Sequence, residues 1–524
     1  MAEKPSPSAM AVADPVKSQR LRANFDYLAL VFSIGHAVVV IPINLASSLL
    51  DAQVGYVGNG VFYVFVLGSA IGTGPGACER LGPVRALALG MGLYAAYVLG
   101  TAFASTFCAE SGPDDGCLAA TTMQWVVYLA ATVSGGLGAG FMWLAQSALF
   151  ALTVDAVAAS EGVTGSEVTA ALASRFAVVF LAMEVLARLS ATGLLELGVG
   201  VFATLFLYSV VGFGAAVGAS MVENVPQRSR DAKWVHLNAV VALWSDPKIW
   251  LLSCTNMAFG FSAAYMNGYV NAAFAVPAVG AEAVSALSAL TGVAAGFVAA
   301  CSGSSSARRL LFVVSGACAV FIALSAGVNE VAISAAVAGP VHVGEAVQQQ
   351  GDVVAGQPTA VVAEGTIIAS CESCVTFDVA VTSGVFTMRK GVVVAGRERG
   401  VVHAVVPTPR TPSAWGWGLS LLYLAQGVIR GVFESSNRAL HAELFPGKGT
   451  AGALGNNLVH STVAFALAYF LSELLTPVLP WIVGVLGALS VPATMVARSM
   501  VKDVASDNEE GEESQALIVK DASA

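Results

Sequence analysis

YLALVFSIGHAVVVIPINLASSLL, residues 27–50, contains no Asp, Glu, Lys or Arg and has the length of a helix that crosses a bilayer. Runs of the same kind recur from Tyr27 to Val496. The whole chain is 56% hydrophobic and only 11% charged, with a mean hydropathy of +0.74. A water-soluble protein of this length needs far more charge to cover its surface, whereas lipid solvates apolar helices directly. Backbone polar groups in hydrocarbon must be satisfied within the protein, so the choice lies between helices and a closed barrel. The runs are continuously apolar over about 20 residues rather than alternating over about 10, which selects helices.

Spans are predicted at 27–50, 54–74, 86–107, 121–150, 168–192 and 198–220, then at 248–274, 281–301, 310–334, 414–440, 452–474 and 477–497. The expected fold class is an all-α polytopic membrane protein of twelve helices in two six-helix bundles, the pattern of a duplicated transporter. The divisions are a tail over 1–26, a first bundle over 27–220, a linker over 221–247, helices seven to nine over 248–337, an insertion over 338–412, helices ten to twelve over 413–500 and a tail over 501–524. Lys17, Arg20, Arg22, Arg80, Arg85, Arg228, Arg230, Lys233, Arg308, Arg309, Lys448, Arg498 and Lys502 all fall on one side, while the opposite short turns carry Asp51, Glu110, Asp114, Asp115, Glu282 and Glu473. By the positive-inside rule both termini are expected in the cytoplasm. The first run is too long for a signal-peptide core and is read as a retained span.

The linker segment KWVHLNAVVALWSDPK sets Val235, Leu237, Val240 and Leu243 beside Trp234 and Trp244, which suits either a helix at the membrane interface or an ordinary polar linker. Residues 338–412 alternate in short stretches such as TAVVAEGTIIAS, read either as strands of a small β-unit on the non-cytoplasmic face or as translated intron. Cys108 and Cys117 flank the turn CAESGPDDGC, where an oxidising compartment would allow a disulfide. Cys371 and Cys374 form a lone C-x-x-C without a second ligand pair at recognisable spacing, so no metal site is expected. The tail DVASDNEEGEES, from Asp503, is acidic and polar and predicts a segment without regular structure.

No phosphate loop, triad or paired-carboxylate set stands out, so an enzyme is not expected, and no cofactor or nucleic-acid partner is indicated. SGGLGAG, from Ser134, lies inside a span, where Gly136 and Gly140 permit close helix packing. Ionisable groups at membrane depth are costly unless paired or wet, and they stand at helical spacing. Glu184 and Arg188 are four apart in the fifth span; Arg430, Glu434 and Arg438 repeat the step in the tenth. Two cations around one carboxylate leave a positive excess that attracts an anion or a carboxylate from another helix, with Glu434 as the proton-sensitive member. The alternative is that these are interhelical ties and Arg438 snorkels to the surface. His36 and His460 are candidate proton carriers or neutral hydrogen-bonding groups. Asn44, Gln146, Asn256, Asn267, Asn456 and Asn457 either line an aqueous cavity or join helices.

INLASSLLDAQVGYVGNGVFYVFVLGSAI, from Ile43, resembles the first outside turn and second span of the unc-93 family, a branch of the major facilitator superfamily. CERLGPVRALALGMGLYAAYV, from Cys78, GGLGAGFMWLAQSALF, from Gly135, SDPKIWLL, from Ser245, and GVIRGVFESSNRALHAELFPGKGTAGAL, from Gly427, are similar to later elements of that family in the same order. The turn at Cys78 departs from the acidic-and-basic signature of sugar and drug transporters, and the insertion has no counterpart. The resemblance implies two bundles rocking about a central cavity. It leads to an expected secondary transporter of a small solute or ion in a lipid bilayer, or else to a non-transporting subunit that regulates another membrane protein.

Overall fold

A computed structural model describes residues 14–111, 117–225, 240–337, 346–350, 361–370, 376–384, 393–394, 401–405, 416–445, 449–472 and 478–521. Among these residues twelve long helices alternate in direction. The first six are α1 (Pro15–Leu49), α2 (Ala52–Leu81), α3 (Pro83–Ala104), α4 (Thr122–Glu161), α5 (Gly165–Glu196) and α6 (Val201–Ser220). The second six are α7 (Pro247–Tyr265, prolonged by a π-helix Met266–Ala275 and a last turn Val276–Val279), α8 (Ala281–Cys301), α9 (Ser305–Val337), α10 (Ser420–Val432, a π-turn Phe433–Asn437, then Arg438–Leu444), α11 (Gly449–Leu471) and α12 (Leu479–Asp521). Among the described residues, nine of these helices are long and apolar enough to cross a membrane. The other three, α7, α10 and α11, bury Asn256, Asn271, Arg430, Asn437, Asn456 and Asn457, groups that belong against protein rather than lipid.

The sequence starts several helices with short acidic caps followed by proline or small residues. Asp14 accepts from the Lys17 amide and precedes Pro15; Asp51 accepts from Gln53 and Val54; Asp246, in the S-D-P-K run, accepts from Lys248 and precedes Pro247. Each cap satisfies amides that the first turn leaves open, and proline at the first position loses nothing by lacking an N–H.

The duplication is visible in the packing. In the first bundle α1 packs on α5 and α6, α2 on α4, and α3 on α4 and α6; in the second, α7 packs on α11 and α12, α8 on α10, and α9 on α10 and α12. Adding six to each member of a first-bundle pair gives its counterpart. The bundles meet chiefly through α2 against α11 and α5 against α8.

Glycine sets the spacing of α4. A Cβ on Gly140 would lie 2.6 Å from the Ala70 amide nitrogen of α2, and one on Gly138 would lie 2.6 Å from the Gly90 carbonyl of α3. Backbone, unlike a flexible side-chain end, cannot step aside. Gly140→Val is therefore expected to abolish a monodisperse peak in fluorescence-detected size-exclusion chromatography, whereas Gly193→Val, at a position with open space around it, should leave the peak intact.

At the end of the bundles where α3 turns into α4, strands β1 (Cys108–Ser111) and β2 (Cys117–Ala120) pair antiparallel, and Cys108 and Cys117 form a disulfide. At the opposite, terminal end Arg22 makes a two-pronged pair with Glu161, Arg20 with Glu223, and Arg175 bonds Asp26, which fastens α1 to α4, α5 and the residues after α6. Arg20 holds the Glu223 carboxyl below its usual range. Glu443 joins Arg308 and Arg498 across α9, α10 and α12 in the second bundle.

The insertion contributes strands β3 (Ala346–Gln350), β4 (Val361–Ser370), β5 (Thr376–Gly384), β6 (Val393–Val394) and β7 (Val401–Val405), an antiparallel sheet ordered β3-β4-β5-β7-β6. The C-x-x-C at Cys371 and Cys374 lies outside the described residues, as does most of the amphipathic linker stretch. The acidic tail departs from expectation: α12 continues to Asp521. Propagating an existing helix avoids the cost of nucleation, and Glu, Ala, Leu and Lys are good helix formers, so composition alone underestimates order there.

Candidate functional site

The ionisable groups of the fifth and tenth spans come together. Arg430 on α10 donates from Nη1 to Glu184 Oε1 (2.7 Å) and from Nη2 to Glu184 Oε2 (2.6 Å), so both carboxylate oxygens of α5 are held by one guanidinium of the other bundle. Its Nε donates to Glu434 Oε1 at 2.9 Å. Arg188 donates from Nη2 to Glu184 Oε1 (2.6 Å) and from Nη1 to the Ser288 carbonyl of α8 (2.5 Å). Two cations and two anions thus balance in one cross-bundle network. Counted with Arg438, the α10 cation outside these bonds, the group holds three cations against two anions.

The four members differ in access. Side-chain exposure is 1% for Glu184, 4% for Arg188 and 10% for Arg430, but 24% for Glu434. Glu434 also spends only one oxygen on Arg430 and lies in the first turn of the π-segment of α10. Such turns insert an extra residue into a helix and are found often at functional positions. Arg438, one turn nearer the terminal end, is exposed.

Toward the disulfide end the bundles are closed. Ser47 of α1 donates to the Gly268 carbonyl of α7 (2.9 Å), and Asn271 of the α7 π-helix donates to the Asn44 carbonyl (2.9 Å). Tyr423 donates to Asn271 Oδ1 at 2.5 Å, and Tyr63 of α2 stacks on Phe465 of α11 with centroids 4.3 Å apart.

Other candidates sit apart from the network. His36 is enclosed by rings: Phe180 at 4.8 Å, Trp143 at 5.4 Å and Tyr94 at 6.1 Å between centroids. Phe180 lies one turn before Glu184, so the aromatic group borders the charges without bonding to them. Gln146 is buried on α4, and among the described residues no hydrogen bond joins it to the network. Asn456 has a fastening role, accepting from Trp244 Nε1 (2.8 Å) and donating to the Val240 carbonyl (2.9 Å), which ties the linker's end to α11. His460 belongs to a second polar cluster with Asn256, Asn437 and His441. His441 and Asn437 escaped the sequence reading although Glu434, Asn437, Arg438 and His441 stand at steps of three and four along α10, the helical signal that would have found them.

No family model matches the chain, and no curated protein matches it. Solved structures do. A D-xylose–proton symporter superposes with a TM-score of 0.54 at 11% identity, covering 92% of this chain and 97% of that one. The chain has the major facilitator fold. A nucleoside transporter, NupG, gives a TM-score of 0.53 at 10% identity over 92% of this chain and 99% of that one, and the xylose transporter XylE from E. coli gives 0.51 at 11% over 93% and 98%. Within the major facilitator fold the Glu184–Arg430 bridge occupies the seam between the two halves, where any rocking of one against the other must act on it.

Proposed function

We propose that the chain is a secondary transporter, an unc-93-like branch of the major facilitator fold, moving a small solute or ion by alternating access. The observation that carries this reading is the buried bridge from Arg430 to Glu184, made between bundles beside a carboxylate that solvent reaches. Glu184 latches the halves together. Glu434 competes for the same guanidinium, so its protonation alters how tightly Arg430 holds Glu184. Proton uptake at one carboxylate is thereby converted into a change in cross-bundle cohesion, the differential interaction that a two-state transporter needs. The charge-paired network also suits a rigid scaffold that regulates another membrane protein without transporting. Solid-supported-membrane electrophysiology on reconstituted protein at two pH values separates the readings: solute-triggered current supports transport, and silence from folded protein supports the scaffold.

The terminal end, with Arg20, Arg22, Arg80, Arg85, Arg308, Arg309 and Arg498, is assigned to the cytoplasm, and the disulfide end to the oxidising side. If the protein resides at the cell surface, epitope tags at either terminus should be stained only after permeabilisation. Staining of intact cells would reverse the assignment.

A further inference from the structure

Three arginines gather at the terminal end of the second bundle around a single carboxylate. Arg308 of α9 donates from Nη2 to Glu443 Oε1 of α10, and Arg498 of α12 brings its Nη2 to 3.9 Å from Glu443 Oε2. The second contact is an ion pair too long to be a hydrogen bond. Arg309, the next residue of α9, bonds the Ser306 hydroxyl at 3.4 Å and lies within the electrostatic reach of Arg498. Among the described residues the group therefore sets three cations against one anion. Lys502 and Asp503 follow on α12 with opposite charges, and the next acid, Asp507, lies about 14 Å along the helix from Arg498.

The group is also short of acceptors. Nε of Arg308 and both Nε and Nη2 of Arg498 are buried without a hydrogen-bond partner. The side chains that carry them are only 20% and 23% exposed, so the donors are closed to solvent as well as unpaired. A buried donor on a charged group that goes unmet costs more than an average hydrogen bond gains.

Guanidinium donors in excess call for an anion with several oxygens, and their planar forks match phosphate two bonds at a time. Place decides the source of that phosphate. Arg308 and Arg498 stand near the terminal ends of the apolar spans Ser305–Ser325 and Leu479–Met500, the level at which lipid headgroups lie. Toward the membrane centre, Leu310 and Val313 of α9 and Met495 of α12 are exposed and apolar within two turns of the arginines. Acyl chains can cover such side chains, and a free phosphate cannot.

We propose that Arg308, Arg309 and Arg498 bind the phosphate of an anionic phospholipid in the leaflet at the terminal end. The site is separate from the Glu184 network and does not depend on the transporter reading. The purified full chain in neutral detergent is titrated with dioleoylphosphatidylglycerol, dioleoylphosphatidylcholine or inorganic phosphate, and unfolding temperature and bound mass are followed. Phosphatidylglycerol should raise the unfolding temperature and stay bound in native mass spectrometry; phosphatidylcholine, whose choline cancels the charge, should do neither. Arg309→Gln and Arg498→Gln should each weaken phosphatidylglycerol binding about tenfold. Arg85→Gln, an equal loss of charge at the same end of the first bundle, should not. Arg309 is exposed and has no carboxylate partner among the described residues, so its substitution keeps the test open should Arg498→Gln fail to fold. Equal weakening by Arg85→Gln, or none by Arg309→Gln, would mean diffuse attraction and overturn the site. A matching effect of inorganic phosphate, lost in the same variants, overturns the lipid as occupant. No effect of phosphatidylglycerol overturns the proposal altogether.

Discussion

Glu184→Gln is expected to lower stability by about 3–5 kcal/mol, the usual cost of removing one partner from a buried ion pair. The substitution keeps the shape of the side chain and removes its charge. Arg430 and Arg188 then face each other across a neutral amide, with Glu434 as their sole nearby anion, at sites 10% and 4% exposed. The uncompensated charge, rather than the lost attraction, accounts for most of the penalty. A second substitution tests this: Glu184→Gln with Arg430→Gln should regain much of the loss, because the pair of amides can bond to one another and Arg188 has no like charge opposite. Thermal unfolding of the two variants in detergent distinguishes the cases. A double variant as unstable as the single one would mean that Glu184 acts through packing and not through charge.

The sequence makes most of the membrane helices legible because hydropathy decides nine of them, while the more polar α7, α10 and α11 are read from their place in the series, and acidic caps such as Asp14, Asp51 and Asp246 mark several starts. It also yields the residues of the charged network, since Glu184 with Arg188 and Arg430 with Glu434 repeat a four-residue step. What it withholds is that the two pairs share one carboxylate. Glu184 and Arg430 are far apart in the chain, and no local spacing reports a contact between α5 and α10. The same limit hides the cluster of Asn256, Asn437, His441 and His460, which exists only once α7, α10 and α11 are packed. Arg438 and Asn456 show the converse. Both carry the chemistry of a site by residue type, yet the first is exposed beyond the network and the second is spent on the linker through Trp244 and Val240. The tail misleads for a related reason, since its composition is read without the long helix that precedes it.

On the proposed transporter reading, Glu434→Gln should abolish pH-dependent flux while leaving the fold intact. The amide retains an oxygen for Arg430 Nε, so the 2.9 Å contact survives and Glu184 keeps both of its bonds from Arg430. What disappears is the proton. With the ionised carboxylate, Arg430 is shared between two anions; protonation of Glu434 leaves Glu184 as the sole charged partner and tightens the latch. The substituted amide mimics the protonated state permanently, so flux should persist, if at all, at a rate that no longer follows pH. Gel filtration and unfolding temperature should match the parent, in contrast to Glu184→Gln, and this pairing of opposite outcomes separates coupling from stability. Flux that still tracks pH in Glu434→Gln would remove the proton from this carboxylate and leave His36 and His460 as the groups to test next.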